Sequence, residues 1–201
     1  RRNSKENPVK VAIYTLGCKV NQYETQAMEQ ELRRRGHELV PFAGDADAYV
    51  VNTCSVTAVS DQKSRQLLSR ARREHPEAVV AVCGCYPQPR SEDVRKLDVD
   101  LIAGTGDRLG FLDLLERELE DRRPMEAVDR AFDRRTFESL PAGGLEGRTR
   151  AMLKVEDGCL NFCSYCIIPY VRGGIRSRPV EEIAANGASV TQGIPSAVAA
   201  A

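Results

Sequence analysis

At 201 residues the chain has room for one large domain or two small ones, and an apolar fraction of 42% is that of an ordinary soluble protein. Lys plus Arg equals Asp plus Glu at 29 each, so global charge argues neither for nor against a nucleic-acid partner, and any such binding has to come from local patches. No apolar run reaches the length of a membrane span and no secretory stretch follows Arg1-Arg2-Asn3-Ser4. The seven cysteines therefore read as metal-binding thiols in a reducing cytoplasm rather than as a disulfide framework.

In chain order, residues 1 to 8 are polar. Val9-Lys10-Val11-Ala12-Ile13-Tyr14 alternates and is β-branched, the pattern of a strand that stops at Leu16-Gly17-Cys18. Asn21 with Glu24 three residues on resembles a capping box, and the helix after it places Ala27, Met28 and Leu32 on one face before Arg33-Arg34-Arg35-Gly36. A short strand over residues 38–42 follows. The next strand, Asp47 to Asn52, ends at Thr53-Cys54. A helix is expected from Val59 to Glu74, closed by His75-Pro76.

Ala78-Val79-Val80-Ala81-Val82 is a continuous apolar run, as in a strand covered by helices on both faces, and it stops at Cys83-Gly84-Cys85. Residues 89–97 read as helix, 100–103 as a short strand, and 107–121 as an amphipathic helix with Leu109, Leu112, Leu115 and Leu119 inside. This alternation predicts an α/β fold with a flavodoxin-like, doubly wound parallel sheet over residues 8–122. Residues 123–150 lose periodicity and gather Pro and Gly, and are expected to be a linker. A new strand over 151–156 leads into a cysteine loop, and a helix begins at Pro179. Together they read as the start, residues 151–183, of a second domain. The tail 184–201 is uncharged, unlike everything before it, and reads as disordered or derived from a truncation.

Cys159, Cys163 and Cys166 stand in the spacing C-x3-C-x2-C. Thiolate suits iron–sulfur clusters and zinc, and three thiolates on one short loop can hold three corners of a cubane cluster, leaving the fourth iron open. A structural zinc normally takes a fourth protein ligand, and no Cys or His follows this loop. A zinc-binding module without redox chemistry is the rival reading.

Cys18, Cys54 and Cys85 each come just after an expected strand. In a flavodoxin-like order, 2-1-3-4-5, those strands are spatial neighbours, ~4.8 Å apart, so the thiols fall within about 5 to 10 Å of one another. Cys83 falls within its strand and reads as core. The helix stripe Lys63, Arg70 and Arg73 and the loop arginines Arg172, Arg176 and Arg178 are candidate phosphate contacts, against the blander reading of solvated faces. His37 and His75 lie where helices end and read as dipole partners rather than ligands.

The loop, with Tyr165 before its last Cys and Ile167-Ile168-Pro169-Tyr170 after it, resembles the radical S-adenosylmethionine superfamily. The string from Asp157-Gly158-Cys159 through Arg172-Gly173 resembles its methylthiotransferase branch. Thr15-Leu16-Gly17-Cys18-Lys19-Val20-Asn21-Gln22, Asn52-Thr53-Cys54-Ser55-Val56 and Gly84-Cys85-Tyr86-Pro87-Gln88 resemble three signature segments of the N-terminal domain of that family.

The resemblance implies two 4Fe–4S clusters. Cys18, Cys54 and Cys85 would bind an auxiliary cluster, and Cys159, Cys163 and Cys166 the cluster that binds S-adenosylmethionine, with Tyr165 lining the adenosine end or packing beneath the loop. It implies a tRNA methylthiotransferase acting at carbon 2 of threonylcarbamoyl-modified adenosine beside the anticodon, with tRNA, an electron donor and a sulfur source as partners. Relatives acting on isopentenyl-adenosine or on a ribosomal protein are the neighbouring branches. A β/α barrel takes about 250 residues, so residues 151–183 are expected to supply only the first βα unit of a truncated barrel. A non-catalytic iron–sulfur-binding fragment is the corresponding alternative.

Overall fold

The computed structural model describes residues 8–140 and 152–185. Six parallel strands form one sheet: β1 (Lys10–Thr15), β2 (Glu38–Val40), β3 (Ala48–Thr53), β4 (Val79–Gly84), β5 (Leu101–Ala103) and β6 (Met125–Ala127). Their spatial order is β2-β1-β3-β4-β5-β6. The first five follow the flavodoxin-like arrangement expected from the sequence, with the order reversing between β1 and β3.

Alternation within the central strands sorts the core. Val79, Ala81 and Cys83 of β4 face one side, where Met28 and Leu32 of α1 (Lys19–Arg34) meet Phe111, Leu112 and Leu115 of α4 (Arg108–Asp121). Val80 and Val82 face the other, against Leu68 and Ala71 of α2 (Ala58–Glu74) and Val94 of α3 (Pro87–Arg95). Every residue of β3 and β4 is buried, which is why Val79 to Val82 of β4 read as an unbroken apolar run.

Three details differ from the sequence reading. Helix α1 begins three residues early, with Cys18 rather than Asn21 as its N-cap. Asn21 does not cap because its amide is drawn into the sheet, donating to the carbonyls of Leu16 (2.9 Å) and Thr53 (2.8 Å). The stretch expected to be a linker contains β6, which pairs with β5 in register Leu101↔Met125 and extends the sheet. Three residues are too short to show a period. Residues 141–151 of that stretch lie outside the described residues.

The strand expected over 151–156 is confined to β7 (Glu156–Asp157), and its partner is the antiparallel β8 (Arg176–Ser177). Gly158, at φ +89°, turns the chain out of β7, since that backbone conformation is open to glycine without strain. Between β7 and β8 lie the cysteine loop and the short α5 (Ile168–Arg172). Finally, the helix begun after Pro179 runs over residues 180–185, and the tail beyond it lies outside the described residues.

Candidate functional site

The carboxyl ends of β1, β3 and β4 are laced together. Leu16 N–H donates to Asn52 O (2.8 Å) and Cys85 N–H to Thr53 O (3.0 Å). Thr53 Oγ1 donates to Cys83 O (2.6 Å). Asn21, through its two amide hydrogens, pins the residues just before Gly17-Cys18 and Cys54. Cys18, Cys54 and Cys85 therefore emerge from three adjacent strand ends, as the sequence reading expected. Cys54 and Cys85 are buried, and Cys18 is exposed at the mouth.

Two glycines make the closeness possible. A Cβ on Gly17 (φ +105°) would lie 2.6 Å from Cys54 Sγ, and one on Gly84 (φ +100°) would lie 2.7 Å from Asn52 Oδ1. That Asn52 oxygen is buried and has no partner among the described residues. Burial pushes the Cys85 thiol up to about 11. Arg172 opposes the shift, while Glu24 and the thiols of Cys54 and Cys18 add to it. Cys83, two residues back, is wholly buried on the α1/α4 face, and burial pushes its thiol up to about 11 as well.

Among the described residues no three His, Cys, Asp or Glu side chains converge tightly enough to hold a metal ion as they stand. A cubane with a thiolate on each of three irons asks for donors spread like neighbouring strand ends, ~4.8 Å per step. An all-thiol donor set with a glycine cradle beside Cys54 fits that group.

The second cysteine set lies on an outward-facing loop. Cys159 N–H donates to Gly173 O (3.0 Å) and Cys166 N–H to Cys163 O (2.9 Å). Cys163 is exposed, and Cys159 and Cys166 are half-buried. Tyr165 is 90% exposed, so it does not pack beneath the loop. Phe162, at φ +45°, stacks on Phe132 at 5.9 Å and meets Tyr170 edge-on at 5.8 Å, which holds the loop to the segment after β6.

A buried ionic network joins the loop to the sheet. Glu24 accepts from Arg172 (2.8 Å), Arg108 (3.0 Å) and Lys154 (3.0 Å). Asp157 accepts from Lys154 (2.9 Å) and Arg172 (3.1 Å), and Arg176 stands 3.4 Å away. Burial would raise the Glu24 carboxyl, but Arg172, Arg108 and Lys154 hold it well below the usual carboxylate range. Burial likewise works against Asp157, and Arg172 and Lys154 reverse it.

The three loop arginines proposed as phosphate contacts are therefore not available for that: Arg172, Arg176 and Arg178 are all buried. Arg178 lies over the Phe137 ring and reaches Glu182 (3.4 Å). Sequence reasoning assigned Glu24 to a cap and missed the network. Its position one turn before Met28, on the buried face of α1, was the available signal. Lys63, Arg70 and Arg73 are exposed, Arg70 being paired with Glu74 (2.9 Å). His37 meets Glu116 at 2.7 Å, and His75 stacks on Tyr49 at 4.2 Å, so neither is a dipole partner alone.

Residues 10–104, the segment carrying all three strand-end cysteines, match a family described as Uncharacterized protein family UPF0004. The threonylcarbamoyladenosine tRNA methylthiotransferase MtaB of Bacillus subtilis (strain 168) is 44% identical over 174 residues, covering 86% of this chain and 39% of that protein. The chain carries the UPF0004 domain of the methylthiotransferases.

The protein of the same name from Aquifex aeolicus (strain VF5) is 39% identical over 87% of this chain and 43% of its own length. The ribosomal protein uS12 methylthiotransferase RimO of Myxococcus xanthus (strain DK1622) is 36% identical over 89% of this chain and 38% of its own. The chain spans about two fifths of the length of the curated relatives it matches. Its UPF0004 domain ends before the second cysteine set, which the longer matches include. No helix among the described residues is long and apolar enough to cross a membrane.

Proposed function

We propose that this chain is the cluster-bearing part of a tRNA methylthiotransferase that acts on carbon 2 of threonylcarbamoyl-modified adenosine. The observation that carries the reading is the gathering of Cys18, Cys54 and Cys85 at three adjacent strand ends within a domain whose relatives bear that name. Cys18, Cys54 and Cys85 would hold one 4Fe–4S cluster, and Cys159, Cys163 and Cys166 a second with one iron left for S-adenosylmethionine. When bound, the second cluster supplies one-electron reduction of S-adenosylmethionine and the first a place for the sulfur to be transferred.

The residues themselves do three things. Gly17 and Gly84 let the strand ends close around the thiols. The outward loop presents Tyr165 and its cysteines to a small ligand. The Glu24 network fixes the loop against the sheet. An electron donor, a sulfur source and the tRNA come from outside the chain. The same resemblance to a uS12 methylthiotransferase keeps a protein substrate as the second reading.

The test is iron and sulfide content after anaerobic reconstitution, followed by assays with tRNA carrying threonylcarbamoyladenosine and with uS12 peptide. About eight irons are expected in the unsubstituted chain and about four in Cys159→Ala/Cys163→Ala/Cys166→Ala. Four and none would remove the strand-end cluster, and zinc in place of iron would remove the radical chemistry. Clusters without cleavage of S-adenosylmethionine would make this chain an iron–sulfur-binding part with no turnover of its own.

A further inference from the structure

The buried network holds more positive than negative charge. Arg108, Lys154, Arg172 and Arg176 are four cations, and Glu24 and Asp157 are the two carboxylates they share. Glu138 also reaches Arg108, through its backbone N–H, but burial pushes that carboxyl up toward its neutral form. Uncompensated buried charge is costly, so a cation in such a place is expected to face an anion.

Arg172 is the member that faces the thiols. Its Nη1 bonds Glu24 (2.8 Å) and Asp157 (3.1 Å), while its Nη2 turns to Asn21 Oδ1 (2.9 Å). The same Asn21 oxygen is 3.8 Å from Cys18 Sγ, which donates to it. On its other side, Arg172 is anchored in the cysteine loop. Gly173 O, one residue on, accepts from Cys159 N–H, and Asp157 is two residues before Cys159. Val171 O, one residue back, accepts from Thr105 Oγ1 beyond the end of β5. Arg172 therefore links the backbone of the cysteine loop, through Gly173 and Asp157, to Cys18 of the strand-end set, through Asn21.

We propose that Arg172 is a positioning residue that sets the loop Cys159–Cys166 against the strand-end site and places a full positive charge at its Cys18 end, across the shared acceptor Asn21 Oδ1. The charge half of this rests on the cluster reading above, and the placement half does not. A cation beside a thiolate-ligated cluster stabilises the reduced, more negative state, so its removal lowers the reduction potential.

Two measurements test it. The first is amide hydrogen exchange at residues 158–173 in the metal-free chain, for the unsubstituted protein, Arg172→Lys and Arg172→Met. The second is the midpoint potential of the strand-end cluster in the Cys159→Ala/Cys163→Ala/Cys166→Ala background, with iron content measured alongside. Arg172→Met is expected to speed exchange at Cys159 at least tenfold. It is also expected to lower the potential by a tenfold change in the reduction equilibrium, about 59 mV for one electron, with four irons retained. Arg172→Lys, keeping the charge but not the fork, is expected to restore the potential while exchange stays fast.

An unchanged potential in Arg172→Met with full iron content overturns the proposal, because the arginine is then only a brace. If the strand-end thiols take up no iron at all, the cluster reading fails on its own. Exchange then decides the placement, and unchanged exchange at Cys159 overturns it.

Discussion

Glu24 of α1 and Arg172 of α5 are 2.8 Å apart although 148 positions separate them in the chain. Three cations from three segments meet on this one carboxylate. Replacing Glu24 by Gln leaves Arg108, Lys154 and Arg172 buried without their shared anion. Breaking a buried pair in this way costs about 3–5 kcal/mol. Urea denaturation at neutral pH is the measurement, and a loss under about 1 kcal/mol would mean that water already screens the network.

The same carboxylate sets an acid limit. Its folded value lies well below the 4.5 of an ordinary glutamate. The stability it contributes is fully present above that unfolded value and is lost as pH falls through the folded one. Unfolding free energy is expected to drop below pH 4.5, and the Glu24→Gln chain is expected to show a shallower drop over the same range. Parallel acid curves for the two chains would assign the loss to other carboxylates, Glu31 first, which its bonds to Arg34 and Arg35 hold at about 2.

Gly17→Ala tests the cradle beside Cys54. The new methyl group would lie 2.6 Å from the Cys54 sulfur at a backbone angle that side chains rarely adopt. The sheet is expected to fold, with far-ultraviolet circular dichroism unchanged, while iron uptake falls by about half as the strand-end cluster is lost. Full uptake in Gly17→Ala would show that the strand ends need not approach so closely.

Cys83→Ala and Cys85→Ala separate core from ligand. Both thiols are buried, yet Cys83 packs against α1 and α4 while Cys85 stands at the strand end. Cys83→Ala is expected to cost about 1 kcal/mol and keep its iron. Cys85→Ala is expected to lose the strand-end iron.

Tyr165→Ala is expected to change stability by less than about 0.5 kcal/mol, because a side chain that is 90% exposed contributes little packing. Equilibrium binding of S-adenosylmethionine to the reconstituted chain measures the role that the family resemblance implies. A clear loss of affinity supports it, and unchanged binding removes Tyr165 from the cofactor site.

The sheet was legible because β4 announces itself as a continuous apolar run and β1 as an alternating one. The strand-end cysteines were legible for the same reason, since strand order alone makes them neighbours. What stayed hidden depended on tertiary partners. Asn21 and Glu24 satisfy the spacing of a capping box, but their side chains are taken by the sheet carbonyls and by cations more than 80 residues away. Arg172, Arg176 and Arg178 read as surface charge because nothing local says that the chain folds back over them. In β6, Met125-Glu126-Ala127 is too brief for any period to emerge.

The network around Glu24 also has a consequence for the order of events during synthesis. Chains fold largely from the N-terminal end as they are made. The six strands end at Ala127, so the sheet can assemble with Glu24 paired with Arg108 before the other two cations are made. Lys154 and Arg172 arrive later. Glu24, held until then by Arg108, is the anion on which both later cations of the incoming segment close, which ties the docking of the cysteine loop to a side chain of the first helix.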